Sequence, residues 1–202
     1  MNKKVVIILF LTLLALIGLA IYSFGANNRL SPKPNPVSLN PVNTEKVTVR
    51  NQNITFTSYS NKDIAQNYYT VKLPQDWKVQ AGKDAGSYEM TFNGGSGTIQ
   101  LTDVADNTTL ELMILSQEEP NLKKSVSDYK RIDYQKLTIN GNEAYQLTYQ
   151  GKTGQTDSQT IQTYITGPDK AGIITLTVPQ SSFSTYQSMF SSIIQNFQWD
   201  SK

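Results

Sequence analysis

The residues with potential for chemistry are few, and they are scattered along the chain. Ser127-Asp128-Tyr129-Lys130 reads as S-x-x-K, and Lys152-Thr153-Gly154 reads as K-T-G. In serine acyl-transfer sites a lysine activates the serine of the first motif, and the second lines the site from a strand edge. Here no S-D-N stands between the two motifs, and K-T-G falls in an expected turn. The pair is a chance match of short patterns. Asp103, Asp106 and Asn107 offer oxygens to a hard cation such as Ca²⁺. Their spacing is not that of an EF-hand loop, and Asp and Asn are ordinary turn residues. Glu118 and Glu119 form an adjacent carboxylate pair, but such a pair ahead of a helix serves the helix dipole. Gly94-Gly95-Ser96-Gly97 precedes a strand and lacks the Lys-Ser/Thr ending of a phosphate cradle. Lys123, Lys124, Lys130 and Arg131 alternate with Asp128 and Asp133, as on a solvated helix face. No residue is assigned to catalysis, to a cofactor or to a metal.

Composition narrows the chemistry further. The chain has 202 residues, with no cysteine and no histidine. Without cysteine there are no disulfides, thiolate metal sites or lipidated-cysteine anchors. Without histidine the usual general base near neutral pH and the commonest metal ligand are missing. Formal net charge is +2. Lys3 and Lys4 precede the first apolar run, and the other 16 basic residues balance 16 acidic ones. A neutral domain without a basic patch has no electrostatic handle on nucleic acid.

Three segments follow in order: an apolar segment within residues 1–24, a linker over 25–46, and a domain over 47–202. Val5 to Tyr22 are uncharged and almost wholly apolar. As a helix they span about 27 Å, close to the ~30 Å hydrocarbon thickness. The two lysines ahead of them predict a cytoplasmic N-terminus and an extracytoplasmic domain. The expectation is a single-pass signal-anchor in the cell membrane, through residues 5–22. The alternative is a secreted protein after cleavage near Ser23-Phe24-Gly25. The linker carries Pro32, Pro34, Pro36 and Pro41, which favour extended chain and read as a spacer.

In the domain, Val47 to Arg50 and Asn53 to Ser58 read as short strands, and Asn61 to Gln66 as a helical turn. Tyr69, Val71 and Leu73 alternate with polar neighbours until Pro74 ends the strand, and Trp77 then offers an anchor to a core. Trp77 and the tyrosines are read as core residues before ligand platforms. Ser87 to Phe92 and Thr98 to Val104 flank the Asn93–Gly97 hairpin loop. Leu110 to Leu115 are nearly all apolar and read as a central strand. Pro120 to Arg131 read as a helix with Leu122, Val126 and Tyr129 on one face. Gln135 to Ile139 and Glu143 to Tyr149 meet across Asn140-Gly141, a type I′ hairpin signal. Thr160 to Thr166 meets Gly172 to Val178 across Gly167-Pro168-Asp169-Lys170. A last helix, capped by Ser181 or Ser182, runs to about Phe197. Its stripe of Phe183, Tyr186, Met189, Phe190, Ile193, Ile194 and Phe197 is expected to lie across the sheet. The class is α+β with an antiparallel sheet.

This order of features resembles the PsbP-like family. The residues that carry the resemblance are Leu73-Pro74-x-x-Trp77, the hairpin Ile139-Asn140-Gly141-Asn142-Glu143-Ala144-Tyr145, and the ending Phe197-Gln198-Trp199. It covers roughly Asn53 to Trp199. It implies an αβα sandwich around a central antiparallel sheet, carried by surface or periplasmic modules. PsbP-type function in photosystems is associated with histidine and carboxylate contacts near the metal cluster. This chain has no histidine, so that role is not carried over. The expectation is a membrane-tethered, non-enzymatic module that binds a protein or an envelope component. The alternative is a small-ligand module with a pocket between the sheet and the last helix.

Overall fold

A computed structural model describes residues 44–49, 52–61 and 69–200. The expected membrane segment, most of the linker and the helical turn expected at Asn61 to Gln66 (beyond Asn61 itself) lie outside the described residues. Among those described, no helix is long and apolar enough to cross a membrane.

Two antiparallel sheets hold the strands. The smaller runs β1 (Thr44–Val49), β2 (Gln52–Ser60), β3 (Tyr69–Pro74) and the short C-terminal β11 (Gln198–Trp199). β1 thus begins inside the stretch that composition assigns to the linker. The larger sheet has seven strands: β4 (Lys78–Ala81), β5 (Tyr88–Phe92), β6 (Gly95–Asp103), β7 (Ser127–Ile139), β8 (Asn142–Thr153), β9 (Thr156–Thr166) and β10 (Lys170–Pro179). Their order is β4-β5-β6-β10-β9-β8-β7. β10 returns beside β6 because its Thr175–Leu176 pairs with Thr98–Gly97.

The opening strand behaves as its alternation predicts. Tyr69, Val71 and Leu73 are all fully buried, and Pro74 is the last residue of β3. The chain turns at once, with Trp77 N–H donating to the Pro74 carbonyl at 3.1 Å. Trp77 is 5% exposed and stacks on Phe92 at 4.0 Å and 11°. Phe92 in turn meets Tyr186 and Phe190 of the last helix.

Two of the expected elements differ from those observed. Leu110 to Leu115 is helical. α1 (Leu110–Met113) runs into a π-helical turn, Ile114–Glu118, and then into α2 (Glu119–Ser125). Thr109 caps the start, its hydroxyl accepting the Leu112 N–H at 3.1 Å. A short apolar run cannot distinguish a buried strand from a buried helix by periodicity. The inward residues Leu110, Met113 and Ile114 fit an i, i+3, i+4 face. The helix expected over Pro120 to Arg131 stops at Ser125. Val126 is extended, and β7 starts at Ser127 and pairs with Lys152 of β8. Leu122, Val126 and Tyr129 therefore share no helix face. Cross-strand pairing of ten β7 residues with β8 overrides a local helical pattern that lacked a stop signal.

The last helix, α3 (Phe183–Gln195), follows a single 3₁₀ turn at Gln180–Ser182. Ser182 occupies the N-cap without a side-chain capping bond. The expected stripe packs against the large sheet: Phe190, Ile193, Ile194 and Phe197 share one core with Ile165, Ile174, Leu176 and β3. The other face of the large sheet meets the α1–α2 segment through Leu110, Met113, Ile114, Tyr145, Tyr164 and Ile173. Strand alternation sends Ile165 and Ile174 to one side and Tyr164 and Ile173 to the other. The architecture is α+β, with an antiparallel sheet that carries helices on both faces.

Candidate functional site

The residues singled out for chemistry do not assemble into a reacting set. Ser127 lies opposite Lys152 across β7 and β8. Lys152 is held by the Asp128 carboxylate at 2.6 Å, and that bond raises the ammonium pKa above its ordinary value. A lysine kept protonated is no general base. Lys130 is separated from Ser127 by a bulge, with Asp128 at φ +56°, and pairs with Gln150. Gly154 has φ +63° and turns the chain, as the sequence suggests. Asp103 pairs with Lys170 instead of joining Asp106 and Asn107. Among the described residues no group of three carboxylate, imidazole or thiol ligands converges. Asn93 and Gly94 form the tight turn between β5 and β6, and β6 begins at Gly95, inside the stretch expected as a hairpin loop. A Cβ at Gly95 would come within 2.3 Å of the Phe92 ring.

Glu118 and Glu119 separate in role. The Glu119 side chain is 4% exposed. Its carboxylate accepts from Tyr129 Oη at 3.2 Å and Arg131 Nη1 at 2.9 Å, and pairs with Lys123 Nζ at 3.3 Å. It ties α2 to β7. The Glu118 carboxyl is half-buried, and its desolvation raises its pKa.

These two glutamates sit beside a feature the sequence did not single out, the tyrosines of the large sheet's second face. Tyr129 and Tyr134 come from β7, Tyr145 and Tyr149 from β8, and Tyr164 from β9. Tyr129 packs on Tyr149 at 5.3 Å, and Tyr134 stacks on Tyr145 at 6.0 Å and 15°. Register places Tyr145 directly opposite Tyr164. Burial raises the pKa of the Tyr164 hydroxyl, and the nearby charge of Glu118 and the other tyrosines add to this. Tyr134 is pushed up to about 12, first by burial and then by Glu111. All of these hydroxyls stay neutral, and so remain donors, at physiological pH.

Six buried side-chain polar atoms among the described residues have no hydrogen-bond partner. Four lie on this one face: Tyr134 Oη, Gln162 Oε1, Tyr164 Oη and Thr166 Oγ1. A buried polar group left unsatisfied costs about 1–3 kcal/mol. Tyr164 is fully buried, packed with Leu110, Met113 and Ile114 of the α1–α2 segment. The π-helical turn Ile114–Glu118 belongs to the segment covering this face, and such turns recur at functional positions.

Beyond the segment, the same face continues onto β10 and β6. Three cross-strand rows run from β6 to β8. They are Ser96–Thr177–Thr160–Tyr149, Thr98–Thr175–Gln162–Leu147 and Gln100–Ile173–Tyr164–Tyr145. Each row starts on an uncharged hydrogen-bonding residue and ends on an apolar or aromatic one. Thr160 and Thr177 share a hydroxyl–hydroxyl bond at 2.9 Å. Ser96 and Gln100 are exposed, and Thr98, Thr175 and Thr177 are half-buried. Charge returns on the adjoining strands of the same face, where Glu89 lies opposite Thr98 and Lys78 lies opposite Thr91 in the row of Ser96. Periodicity alone could have shown the polar alternation of β6, β9 and β10. The union of that face with five tyrosines from separate strands needed the strand order.

The other side of the sheet is filled. Phe190, Ile193, Ile194 and Phe197 are each at most 2% exposed and belong to the main core. The small-ligand pocket expected between the sheet and the last helix is occupied by these side chains.

No family model matches the chain, and no curated protein matches it in sequence. Solved structures do match its shape. The cyanobacterial PsbP (CyanoP) of Synechocystis sp. PCC 6803 superposes with a TM-score of 0.53 at 14% identity, covering 65% of this chain and 86% of that one. PA94 of Pseudomonas aeruginosa, a protein of unknown function described as a putative regulator, gives 0.51 at 14%, covering 79% and 99%. LpqN of Mycobacterium tuberculosis, involved in cell envelope biogenesis, gives 0.50 at 13%, covering 72% and 92%. At such identities the likeness speaks to the fold alone, and the fold of the described domain is PsbP-like.

Proposed function

We propose that this protein is a non-catalytic binding module, held outside the cytoplasm at the membrane by residues 5–22. The observation that carries the binding role is the second face of the large sheet. Four buried polar atoms without partners lie there beside an open, uncharged floor. The tether rests on the length of the apolar run and the lysines ahead of it. The fold is shared with LpqN, which is involved in cell envelope biogenesis, and that supports an envelope partner. Fold alone does not carry function, so the site is what must be tested.

A photo-crosslinking residue at exposed Gln100 reports on the proposed face. One at exposed Gln155, in the β8–β9 turn, is the control. In cells expressing the full chain, Gln100 is expected to give an adduct with a protein or envelope polymer that Gln155 does not. Equal labelling at both positions would refute a binding role for this face. The tether is tested by protease added to intact spheroplasts. Digestion of the domain with the N-terminus retained in the membrane is expected, and a mature N-terminus near Ala26 would overturn the anchor.

A further inference from the structure

We propose that Asn93 is a site of spontaneous deamidation in the folded protein, and that the fold shields the matching pair Asn140-Gly141 by holding its side-chain amide. The chain has two Asn-Gly pairs, Asn93-Gly94 and Asn140-Gly141. Each is the two-residue turn of a hairpin: Phe92 pairs with Gly95 around the first, and Ile139 with Asn142 around the second. All four residues are exposed. A glycine leaves its main-chain nitrogen open to attack on a neighbour, since no Cβ stands beside it. Gly94 and Gly141 both have positive φ, at +79° and +84°. Among the described residues a Cβ at Gly94 would meet Tyr186 Oη at 3.7 Å, and one at Gly141 would meet nothing within 4 Å. The glycine sides of the two pairs are therefore equally open, and the asparagine sides differ.

In the reaction the glycine nitrogen gives its proton to solvent base and forms a bond to the asparagine Cγ. The bond from Cγ to the side-chain nitrogen breaks, and that nitrogen leaves as ammonia. Water then opens the cyclic imide at either carbonyl, leaving aspartate or isoaspartate. Nothing is oxidised or reduced, and water is the only co-reactant. Ring closure needs Cγ to swing onto the following nitrogen. At Asn140 the Nδ2 donates to the Gln195 carbonyl at 3.0 Å and to the Phe197 carbonyl at 2.7 Å. Both bonds must break before Cγ can turn, and at ordinary net strengths they slow the step about tenfold. Among the described residues no hydrogen bond holds the Asn93 side chain. The bond at that residue runs from the Tyr186 hydroxyl to its main-chain carbonyl, which leaves the side-chain amide free to turn. Isoaspartate at position 93 inserts a methylene into the main chain and displaces that carbonyl, so the β5–β6 hairpin loses this tie to α3.

The test incubates the purified full chain, in detergent, in mildly alkaline buffer. Peptide mass spectrometry locates amide loss over time, and labelling by an isoaspartyl methyltransferase counts isoaspartate. In the folded protein Asn93 is expected to convert about tenfold faster than Asn140. In denaturant the two are expected to convert at similar rates, because each is then an asparagine followed by glycine in open chain. Equal rates in the folded protein would overturn the proposal. So would an Asn93 that stays intact in the folded chain while it converts in denaturant. A tenfold gap that persists in denaturant would assign the difference to local sequence, and would overturn shielding by the Gln195 and Phe197 carbonyls.

Discussion

Asn140 offers the sharpest test of how the domain is held together. It sits at φ +47° in the β7–β8 turn, followed by Gly141 at φ +84°. Its side-chain amide reaches across to the end of α3. Nδ2 donates to the Gln195 carbonyl at 3.0 Å and to the Phe197 carbonyl at 2.7 Å. A hairpin residue thus satisfies carbonyls that a helix end leaves open. Asn140→Gly keeps the backbone conformation and removes both bonds. Each bond is worth about 0.5–1.5 kcal/mol net. The Gln195 bond is exposed, so roughly 1–2 kcal/mol in total is expected. Asn140→Ala adds about 1–2 kcal/mol for a Cβ in the left-handed region. Asn140→Asp tolerates that region but turns a carboxylate towards two carbonyls and the negative end of α3. It should cost at least as much as Gly at neutral pH, with a further ~0.3–1 kcal/mol from the dipole. The carbonyls raise the pKa of that new carboxyl in the folded state. Stability is therefore recovered as pH falls through the carboxylate range. Urea unfolding of residues 36–202, a compact unit by itself, followed by tryptophan fluorescence, measures the series. With a slope of about 1–3 kcal/mol/M, the glycine variant should shift the midpoint by roughly 0.5–1 M. A glycine variant within about 0.3 kcal/mol of the parent would refute the capping role, given net bond values of this size. So would an aspartate variant as stable as asparagine at pH 7.

Three further outcomes follow from the packing and the charges. Trp77→Ala should cost about 3–5 kcal/mol, the range for a buried aromatic truncated to alanine; a loss below about 1 kcal/mol would place Trp77 at the surface. Glu119→Ala should cost about 1–3 kcal/mol, because the half-buried Tyr129 hydroxyl loses its acceptor while exposed Arg131 can re-solvate. A Glu119→Ala midpoint equal to the parent's would show that α2 is not anchored to β7 through this carboxylate. Tyr129, Tyr134, Tyr149 and Tyr164 all have pKa values raised by burial above the ordinary 10.0. Their contribution to stability is complete below pH 10 and is lost as pH rises through the folded values. Ultraviolet titration should therefore show a late-ionising tyrosine class that appears together with alkaline unfolding, and ionisation of all 11 tyrosines in one step near pH 10 would contradict it.

Much of the main core was legible before any tertiary structure. Tyr69, Val71 and Leu73 alternate at the period of a strand, and Pro74 stops it because proline cannot extend the ladder. The α3 stripe recurs at three and four residues, and Asn140-Gly141 is a turn because both residues accept positive φ. The failures have one cause. Leu110 to Leu115 and Ser127 to Tyr134 carry local signals consistent with either helix or strand. Their state is set by long-range partners. Glu119 drawn to Tyr129 and Arg131 closes a short helix over the sheet, and Lys152 opposite Ser127 keeps the next segment extended. The two-residue strand Gln198–Trp199 has no local signature at all, since it exists only by pairing with Tyr69 and Thr70.

The sequence by itself determined the strand–proline–tryptophan core, the amphipathic last helix, the absence of histidine and cysteine chemistry, and the apolar segment expected to tether the chain. These are fixed by residue type and local spacing, which act over a few residues. Only the tertiary structure decided that β10 returns beside β6, since strand order depends on contacts between residues 67 to 81 positions apart in the chain. That order gathers five tyrosines, Gln162 and a floor of threonines onto one face. The candidate site is a property of the register, and no stretch of the chain contains it.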